Sequence, residues 1–189
     1  MDTNELNSIN NIPYCLIINP YSDYNGSMAN CSFVDYINRA VGNEHMNLLV
    51  AECGDLYGLV NRLLRINSIY GKMSILIMSG HGDGTSIQLG SREFINIEDI
   101  VGNNAIKLFD KLGPIKVVLR SCKMSSKDFA KTLSAIGCTV FAAGSQIVDL
   151  IIDLRNNKVY FVNSDDEIIL ADVFENGSRI TCPDNTKPF

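Results

Sequence analysis

The sequence has no segment that would carry the chain across a membrane. Its first twelve residues, MDTNELNSINNI, are polar and acidic, whereas a secretory signal begins with a basic region followed by an apolar one. No run approaches the roughly 18 to 20 apolar residues that a membrane-spanning helix requires. We therefore predict a cytoplasmic protein with no membrane span, although export by a signal-independent route is compatible with the same sequence.

An excess of basic residues is absent as well. The formal net charge is −5 and the isoelectric point is about 5.0, so we expect no basic surface of the kind that binds nucleic acid. The chain of 189 residues is 46% hydrophobic and 20% charged, which is typical of a globular protein. It has no internal repeat and no linker rich in Pro, Gly or Ser. A single domain over 1–189 is predicted, with loosely ordered tails at about 1–12 and 180–189.

Neither a disulfide framework nor a metal site is indicated. Six cysteines are scattered singly, without a CxxC pair, and the chain has only two histidines. The glycine-rich segment at 80–84 matches neither the Walker A nor the dinucleotide-binding pattern, so no cofactor is predicted. We predict reduced thiols, with Cys15, Cys53 and Cys138 acting as small buried hydrophobic residues. Cys122 is the exception because of its neighbours.

Apolar runs alternate with amphipathic segments over most of the chain, which predicts an α/β fold with a mostly parallel sheet, right-handed crossovers and helices on both faces. Asp55 is a good N-cap for the second helix, and Gly71 ends it. Ser125 or Ser126 is predicted to cap the last helix. The predicted strands are 13–19, 47–53, 74–78, 115–120 and 138–143, and the predicted helices are 32–41, 56–70, 97–112 and 127–136.

Antiparallel hairpins are predicted in two places. A small one joins 86–89 to 93–95, and the chain from Val148 onward changes to strand hairpins, with predicted strands at 148–154, 159–163 and 167–174. The final segment, SRITCPDNTKPF, is expected to be loosely held. The late hairpin strands also offer an edge through which two copies could pair as a homodimer.

Two strand ends carry the residues that suggest chemistry. The third predicted strand stops at Ser-Gly-His81-Gly-Asp-Gly, and the fourth stops at Arg120-Ser121-Cys122. Ligands of open α/β sheets bind at the carboxyl ends of the strands, and strands joined by one crossover are usually neighbours. His81 and Cys122 are therefore predicted to face one another as base and nucleophile.

The residue types suggest how such a pair would react. A free thiol is only a few per cent thiolate at neutral pH, so His81 must take its proton or stabilise the thiolate, and a helix N-terminus near Ser125 would help. The amides of Gly82 and Cys122 are natural donors for an oxyanion. The glycines flanking His81 would permit tight turning and close approach of a substrate backbone.

An apolar strand ending in Ser-Gly-His-Gly, followed after a crossover by an apolar strand ending in Ser-Cys, resembles the caspase-like cysteine peptidases of clan CD. This family includes caspases, metacaspases, gingipains, clostripain, legumain, separase and CHAT-domain proteases. The resemblance spans about 14–146 and implies a three-layer sandwich with a His81–Cys122 dyad and an oxyanion hole at Gly82 and Cys122. It also implies a protein or peptide substrate. The spacing from His to Cys is near the roughly 50 residues of caspases.

The motifs depart from those of two named members of the family. Residues 120–124 read Arg-Ser-Cys-Lys-Met instead of the caspase pattern Q-A-C-x-G, and metacaspases place an acidic residue where this chain has Arg120. Residues two apart on a strand point to the same face, so Arg120 and Cys122 should both face the site. We predict that Arg120 selects an acidic P1 residue by charge-assisted hydrogen bonds.

Other polar residues lie on predicted strand-end loops. Asp23, Ser145 and Gln146 are candidates for substrate binding, with a peptide aligned along the backbone after the fifth strand. Asp83 is interpreted as the cap of a turn, with orientation of His81 as the alternative. The predicted function is a cysteine endopeptidase; the alternatives are a catalytically silent caspase-like module that binds proteins, and a cysteine amidase or acyltransferase with the same dyad.

Overall fold

The central sheet is built from segments that are spread along the whole chain. The computed structural model describes residues 12–22, 32–102, 108, 111–113 and 115–180. Its helices are α1 (Ser32–Gly42), α2 (Leu56–Tyr70), α3 (Ile97–Val101) and α4 (Phe129–Ser134). Its strands are β1 (Tyr14–Pro20), β2 (Asn47–Cys53), β3 (Met73–Ser79), β4 (Ser86–Gln88), β5 (Phe94–Asn96), β6 (Lys116–Arg120), β7 (Thr139–Ala142), β8 (Ile147–Asp153), β9 (Lys158–Asn163), β10 (Ile168–Leu170), β11 (Asp172–Glu175) and β12 (Ser178–Ile180).

Seven strands form the main sheet, in the order β12-β11-β7-β6-β3-β1-β2. The five strands from β7 to β2 are parallel neighbours, and β11 and β12 extend the sheet in antiparallel pairing. Strands β1 and β3, which have neighbours on both sides, are apolar and almost wholly buried, as strands covered on both faces must be. This arrangement confirms the predicted α/β class and mostly parallel sheet.

The two faces of the sheet are covered differently, which gives three layers. Helices α2, α3 and α4 pack on one face, with Leu63 and Phe129 among the fully buried side chains. The other face is covered by α1 and by a separate three-stranded sheet in the order β10-β9-β8, which buries Ile37 and Phe161. Helices therefore lie on both faces, but the hairpin strands cover most of the second.

Helix α2 shows how local sequence sets the limits of an element. Asp55 has an extended backbone, and its carboxylate accepts a hydrogen bond from the Gly58 amide at 2.6 Å. Gly71, with φ of 79°, ends the helix by donating its amide to the Asn67 carbonyl. Both ends were predicted, because an N-cap acid and a C-terminal glycine satisfy the helix ends through local bonds.

Several predicted elements differ from those observed. The run 167–174, predicted as one strand, is divided between two sheets, because β10 pairs with β9 while β11 pairs with β7. Ala171 lies at the break, where its amide donates to the Val159 carbonyl. The expectation of a loosely held tail is wrong for Ser178–Ile180, which pair with β11 as β12. Residues 181–189 lie outside the described part of the chain.

Two helices are shorter than predicted. The helix predicted at 97–112 is observed as α3, closed by Gly102, with helical backbone again at Leu108 and 111–112. The helix predicted at 127–136 is observed as α4, which begins at Phe129 and has six residues. Among the described helices, none combines the length and the apolar character that crossing a membrane would demand.

Candidate active site

Strands β3 and β6 are parallel neighbours, as predicted from the single crossover between them. Ser79 and Arg120 are register partners at the carboxyl ends of the two strands, and the Gly80 amide donates to the Arg120 carbonyl at 3.3 Å. His81 and Cys122 each follow two residues after this pair. The sheet thus places the histidine and the cysteine at equivalent positions on adjacent strand ends.

The loops that carry these two residues are in contact. A β-carbon built on Gly82 would overlap the Ser121 hydroxyl and would lie 2.7 Å from the Met124 sulfur and 3.1 Å from the Cys122 carbonyl oxygen. Only a residue without a side chain fits there. Ser121 is fully buried, and its hydroxyl makes no hydrogen bond to any described group. The glycine after His81 therefore allows the two loops to pack against each other.

The β4–β5 hairpin holds the backbone of His81. The Gln88 amide donates to the His81 carbonyl at 2.8 Å, and Gly82 and Ile87 form an isolated antiparallel bridge. A β-carbon on Gly80 would overlap the Gln88 carbonyl. We expected the glycines flanking His81 to admit a substrate backbone, but the close approach observed here is to the chain itself. The imidazole is thus carried on a segment fixed from two sides.

Residues 121–127 follow β6 and form what we call the Cys122 loop. Two backbone hydrogen bonds join it to the segment after β7, from the Lys123 amide to the Ser145 carbonyl and from the Ser125 amide to the Ala143 carbonyl, both at 2.9 Å. The Cys122 sulfur lies 3.9 Å from the Ile147 carbonyl oxygen. The thiol is therefore held between the sheet and the start of β8.

The exposure of Cys122 distinguishes it from the other described cysteines. Cys122 is half-buried, whereas Cys15, Cys53 and Cys138 are buried. Burial raises the pKa of the Cys15 and Cys138 thiols to about 12, and it also raises the pKa of Cys53. Thiols of this kind stay protonated and unreactive at neutral pH. Among the described cysteines, Cys122 is the one that is not fully buried.

A row of polar side chains crosses the sheet next to the two loops. Arg120, Ser79 and Asn19 occupy successive register positions on β6, β3 and β1, so their side chains share the face covered by α1 and the small sheet. Arg120 is 2% exposed and Ser79 is fully buried. The Ser79 hydroxyl and the Asn19 side-chain oxygen make no hydrogen bond to a described group. The buried Arg120 thus lies in a row with a hydroxyl and an amide oxygen that form no hydrogen bond to described groups.

Asp83 closes the turn after His81, as predicted. One of its carboxylate oxygens accepts hydrogen bonds from the amides of Thr85 and Ser86, at 2.9 and 3.0 Å, and from both hydroxyls. These bonds favour the charged form and lower the pKa of Asp83 to about 2, with Thr85 the largest contributor. The carboxylate therefore stabilises the shape of the turn.

The two serines predicted to cap the last helix have other partners. The Ser126 hydroxyl donates to the Lys123 carbonyl at 2.6 Å, and the Ser125 hydroxyl donates to Asp172 at 2.5 Å. Asp128 occupies the N-cap position of α4 without a side-chain capping bond. The capping prediction is wrong because hydrogen-bond acceptors elsewhere in the fold engage these hydroxyls before the helix begins. Helix α4 has six residues and begins at Phe129, so no helix N-terminus lies at Ser125 to stabilise the thiolate as predicted.

Two of the remaining predicted site residues, Ser145 and Gln146, lie on the segment that contacts the Cys122 loop. Ser145 and Gln146 are exposed on the segment after β7, but the Ser145 carbonyl is already bonded to the Cys122 loop. Asp23 lies outside the described residues. Asn19, Ser79 and Asp172 were not predicted as site residues. The sequence could have indicated Asn19 and Ser79, because each is a polar residue at the carboxyl end of an apolar run, where ligands of α/β sheets bind.

Comparison with protein families and with curated sequences identifies no relative. The chain matches no protein-family model, and no curated protein is similar to it in sequence. Within the described part of the chain, no group of three or more His, Cys, Asp and Glu side chains is arranged to hold a metal ion. The geometry of the two loops is therefore the basis for inferring function.

Proposed function

We propose that this protein is a cysteine peptidase in which Cys122 is the nucleophile and His81 is the acid–base residue. The observation that carries the proposal is the register of Ser79 with Arg120, together with the packing of Gly82 on Ser121 and Cys122. This packing joins the loop bearing the imidazole to the loop bearing the half-buried thiol. An imidazole and a thiol on adjoining loops are the two groups that thiol-based acyl transfer requires.

The reaction would proceed in two stages. Cys122 loses its proton to His81, and the sulfur attacks the carbonyl carbon of the substrate to form a carbon–sulfur bond. The amides of Gly82 and Cys122 are the proposed donors to the resulting oxyanion. His81 then gives its proton to the leaving amine as the carbon–nitrogen bond breaks. Water, deprotonated by His81, hydrolyses the thioester and restores the thiol.

Membership of the caspase-like peptidases is part of this proposal. The motifs Ser-Gly-His81-Gly and Ser-Cys122 follow neighbouring parallel strands in a three-layer α/β fold, which is the context expected for that family. The β4–β5 hairpin and the contacts of the Cys122 loop support it further, because a catalytic pair needs rigid supports on both sides. No cofactor is needed for this chemistry.

The polar row supports an acidic P1 residue as the preferred substrate feature. Arg120 keeps its positive charge at any physiological pH and lies on the same face of the sheet as Cys122. Ser79 and Asn19, its neighbours in the row, have hydrogen-bonding capacity that the described residues do not use. Because Arg120 is 2% exposed, a P1 carboxylate reaches this charge only if the surrounding segments open when the substrate binds, and it would then receive charge-assisted hydrogen bonds. We propose that this interaction selects the substrate.

A peptide-library assay with matched variants tests the peptidase proposal. Wild type, Cys122→Ala and His81→Asn are incubated with the library and with a peptide ketone that alkylates thiols. His45→Asn is the control, because His45 is exposed in a turn with φ of 55°, a conformation that Asn tolerates. We expect cleavage by wild type and by the control, and none by the two site variants.

The outcomes separate the alternatives. Cleavage that survives Cys122→Ala would refute the nucleophile assignment. If wild type neither cleaves peptides nor reacts with the ketone, a protein-binding role without catalysis is favoured instead. Transfer of the acyl group to amines or hydrolysis of simple amides, without peptide cleavage, would indicate the amidase or acyltransferase alternative.

Profiling the P1 preference tests the role of Arg120. Arg120→Gln removes the charge but keeps a hydrogen-bonding side chain of similar length, and Arg155→Gln is the control because Arg155 is exposed and pairs with Glu44. Loss of the preference for acidic P1 residues in Arg120→Gln alone is expected. An unchanged P1 profile in a folded Arg120→Gln protein would exclude Arg120 as the selecting residue.

A further inference from the structure

A hydrogen bond between two side chains joins the Cys122 loop to a distant part of the chain. The Ser125 hydroxyl donates to one carboxylate oxygen of Asp172 at 2.5 Å. Arg179 forms a salt bridge with the other oxygen of the same carboxylate. A chain of three side chains therefore runs from the loop that follows Cys122 to the last described strand.

The position of Asp172 makes this connection specific. Asp172 begins β11, where it is the register partner of Ala142 at the carboxyl end of β7. The same end of β7 leads into the segment that accepts the two backbone bonds from the Cys122 loop. Asp172 and this segment thus hold the loop at neighbouring points. The contribution of the Asp172 carboxylate can be removed by substitution without changing the backbone bonds.

The loop itself depends on such attachments. Lys123, directly after Cys122, has φ of 60°, a left-handed conformation that side chains other than glycine and asparagine seldom adopt. Residues in this region persist only where surrounding contacts hold them. Arg179 is largely exposed, and exposed ion pairs add little to global stability. Its salt bridge is therefore better suited to orienting the Asp172 carboxylate towards Ser125.

We propose that Asp172 is a positioning residue for Cys122. Through Ser125 it fixes the backbone that follows the nucleophile, and Arg179 on β12 keeps its carboxylate in the required orientation. The proposal rests on Cys122 being the nucleophile. It predicts that strands β11 and β12, which extend the main sheet in antiparallel pairing, are needed for the reactivity of the thiol.

The chain offers a matched control on the same strand. Glu175, at the other end of β11, accepts a hydrogen bond from the Thr139 hydroxyl at 3.0 Å. Asp172 and Glu175 are thus two acids of one strand that each bind a hydroxyl of another element, one beside the Cys122 loop and one away from it. Asp172→Asn and Glu175→Gln remove the same charge from these two positions.

The experiment measures thiol reactivity and turnover separately. The rate at which iodoacetamide alkylates Cys122 is followed by peptide mapping, and kcat and KM are measured on the best library peptide. We expect Asp172→Asn and Ser125→Ala to change the alkylation rate and to lower kcat roughly tenfold, with KM unchanged. Misplacing a catalytic group by about 1 Å can cost ~100-fold in rate, and a smaller displacement of Cys122 is expected here. Ser125→Thr, which keeps the hydroxyl, should restore both values.

The double variant tests whether the two residues act together. Ser125→Ala and Asp172→Asn should not be additive, because both changes act on the same interaction between the Ser125 hydroxyl and the side chain of residue 172. Glu175→Gln should leave kcat and alkylation unchanged. The proposal fails if Asp172→Asn behaves like Glu175→Gln in both measurements, or if only the urea midpoint of unfolding changes.

Failure of the peptidase proposal would look different. If wild type cleaves no peptide, kcat is undefined, but the alkylation rate of Cys122 still reports on the loop. An altered alkylation rate in Asp172→Asn and Ser125→Ala, with Glu175→Gln unchanged, would then retain the positioning role without the peptidase. Equal alkylation rates in all variants would refute the positioning role by itself.

Discussion

Gly82 and Ser121 lie so close together that residue 82 has no room for a side chain. This contact joins the loop of His81 to the loop of Cys122, and it arises because β3 and β6 end side by side.

Gly82→Ala should separate the two loops. We expect a loss of about 1 to 3 kcal/mol in the free energy of unfolding, because an added carbon forces a well-packed region apart, and a changed rate of Cys122 alkylation. Gly42→Ala is the control, since nothing lies within 4 Å of its β-carbon position. Urea unfolding and peptide mapping measure the two effects. Similar results for the two variants would contradict close packing at Gly82.

Asp83 should stabilise the protein in a pH-dependent manner. Its pKa is lowered from 3.8 to about 2 in the folded protein, so the charged carboxylate stabilises the fold above pH ~4, and this contribution is lost as the pH falls through about 2. Asp83→Asn should therefore be less stable than wild type at pH 5, and the difference should shrink towards zero near pH 2. Urea unfolding at several pH values measures it. A difference that stays constant with pH would contradict the assignment.

The described cysteines should react in a definite order. Cys122 should be alkylated first in the native protein, because burial holds the Cys15 and Cys138 thiols at pKa values of about 12. A time course of iodoacetamide labelling, read by mass spectrometry of peptides, gives the order. In urea the differences should disappear. Labelling of Cys15 or Cys138 as fast as Cys122 without denaturant would show that the core opens readily.

Asp55→Ala should weaken the start of helix α2. The variant loses the carboxylate that accepts the Gly58 amide at 2.6 Å, which should cost about 1 kcal/mol of unfolding free energy. Asp55→Ser keeps a capping oxygen and should lose much less. Urea denaturation of the two variants measures the difference. Equal losses would mean that the cap contributes nothing at this helix end.

The parallel part of the sheet could be predicted from sequence because its signals are local. Each of its strands is a short apolar run that ends in polar or turn-forming residues, so β2 (Asn47–Cys53) was predicted with its observed limits. The adjacency of β3 and β6 followed from a single crossover, and with it the location of His81 and Cys122 after neighbouring strand ends. The capping role of Asp83 was also local, since its partners are two and three residues away.

Other features depended on partners far along the chain. The run 167–174 is apolar almost throughout, so its pattern does not indicate that Ala171 separates two strands in different sheets; pairing with β9 and β7 decides this. Ser125 has the residue type of a helix cap, yet Asp172, distant in sequence, accepts its hydroxyl. Each of these strand edges and hydroxyls had several possible hydrogen-bond partners, and the spacing of residues in the sequence does not indicate which partner is used.

The sequence by itself determined the strands of the parallel part of the sheet, the two ends of helix α2, and which strand ends bear the histidine and the cysteine. It did so because burial of apolar runs and capping of helix ends are satisfied over a few residues. Only the tertiary structure decided that Gly82 packs on Ser121, that Arg120 is buried in a row with Ser79 and Asn19, and that Asp172 holds the Cys122 loop. These contacts depend on the register of strands that are far apart in the chain.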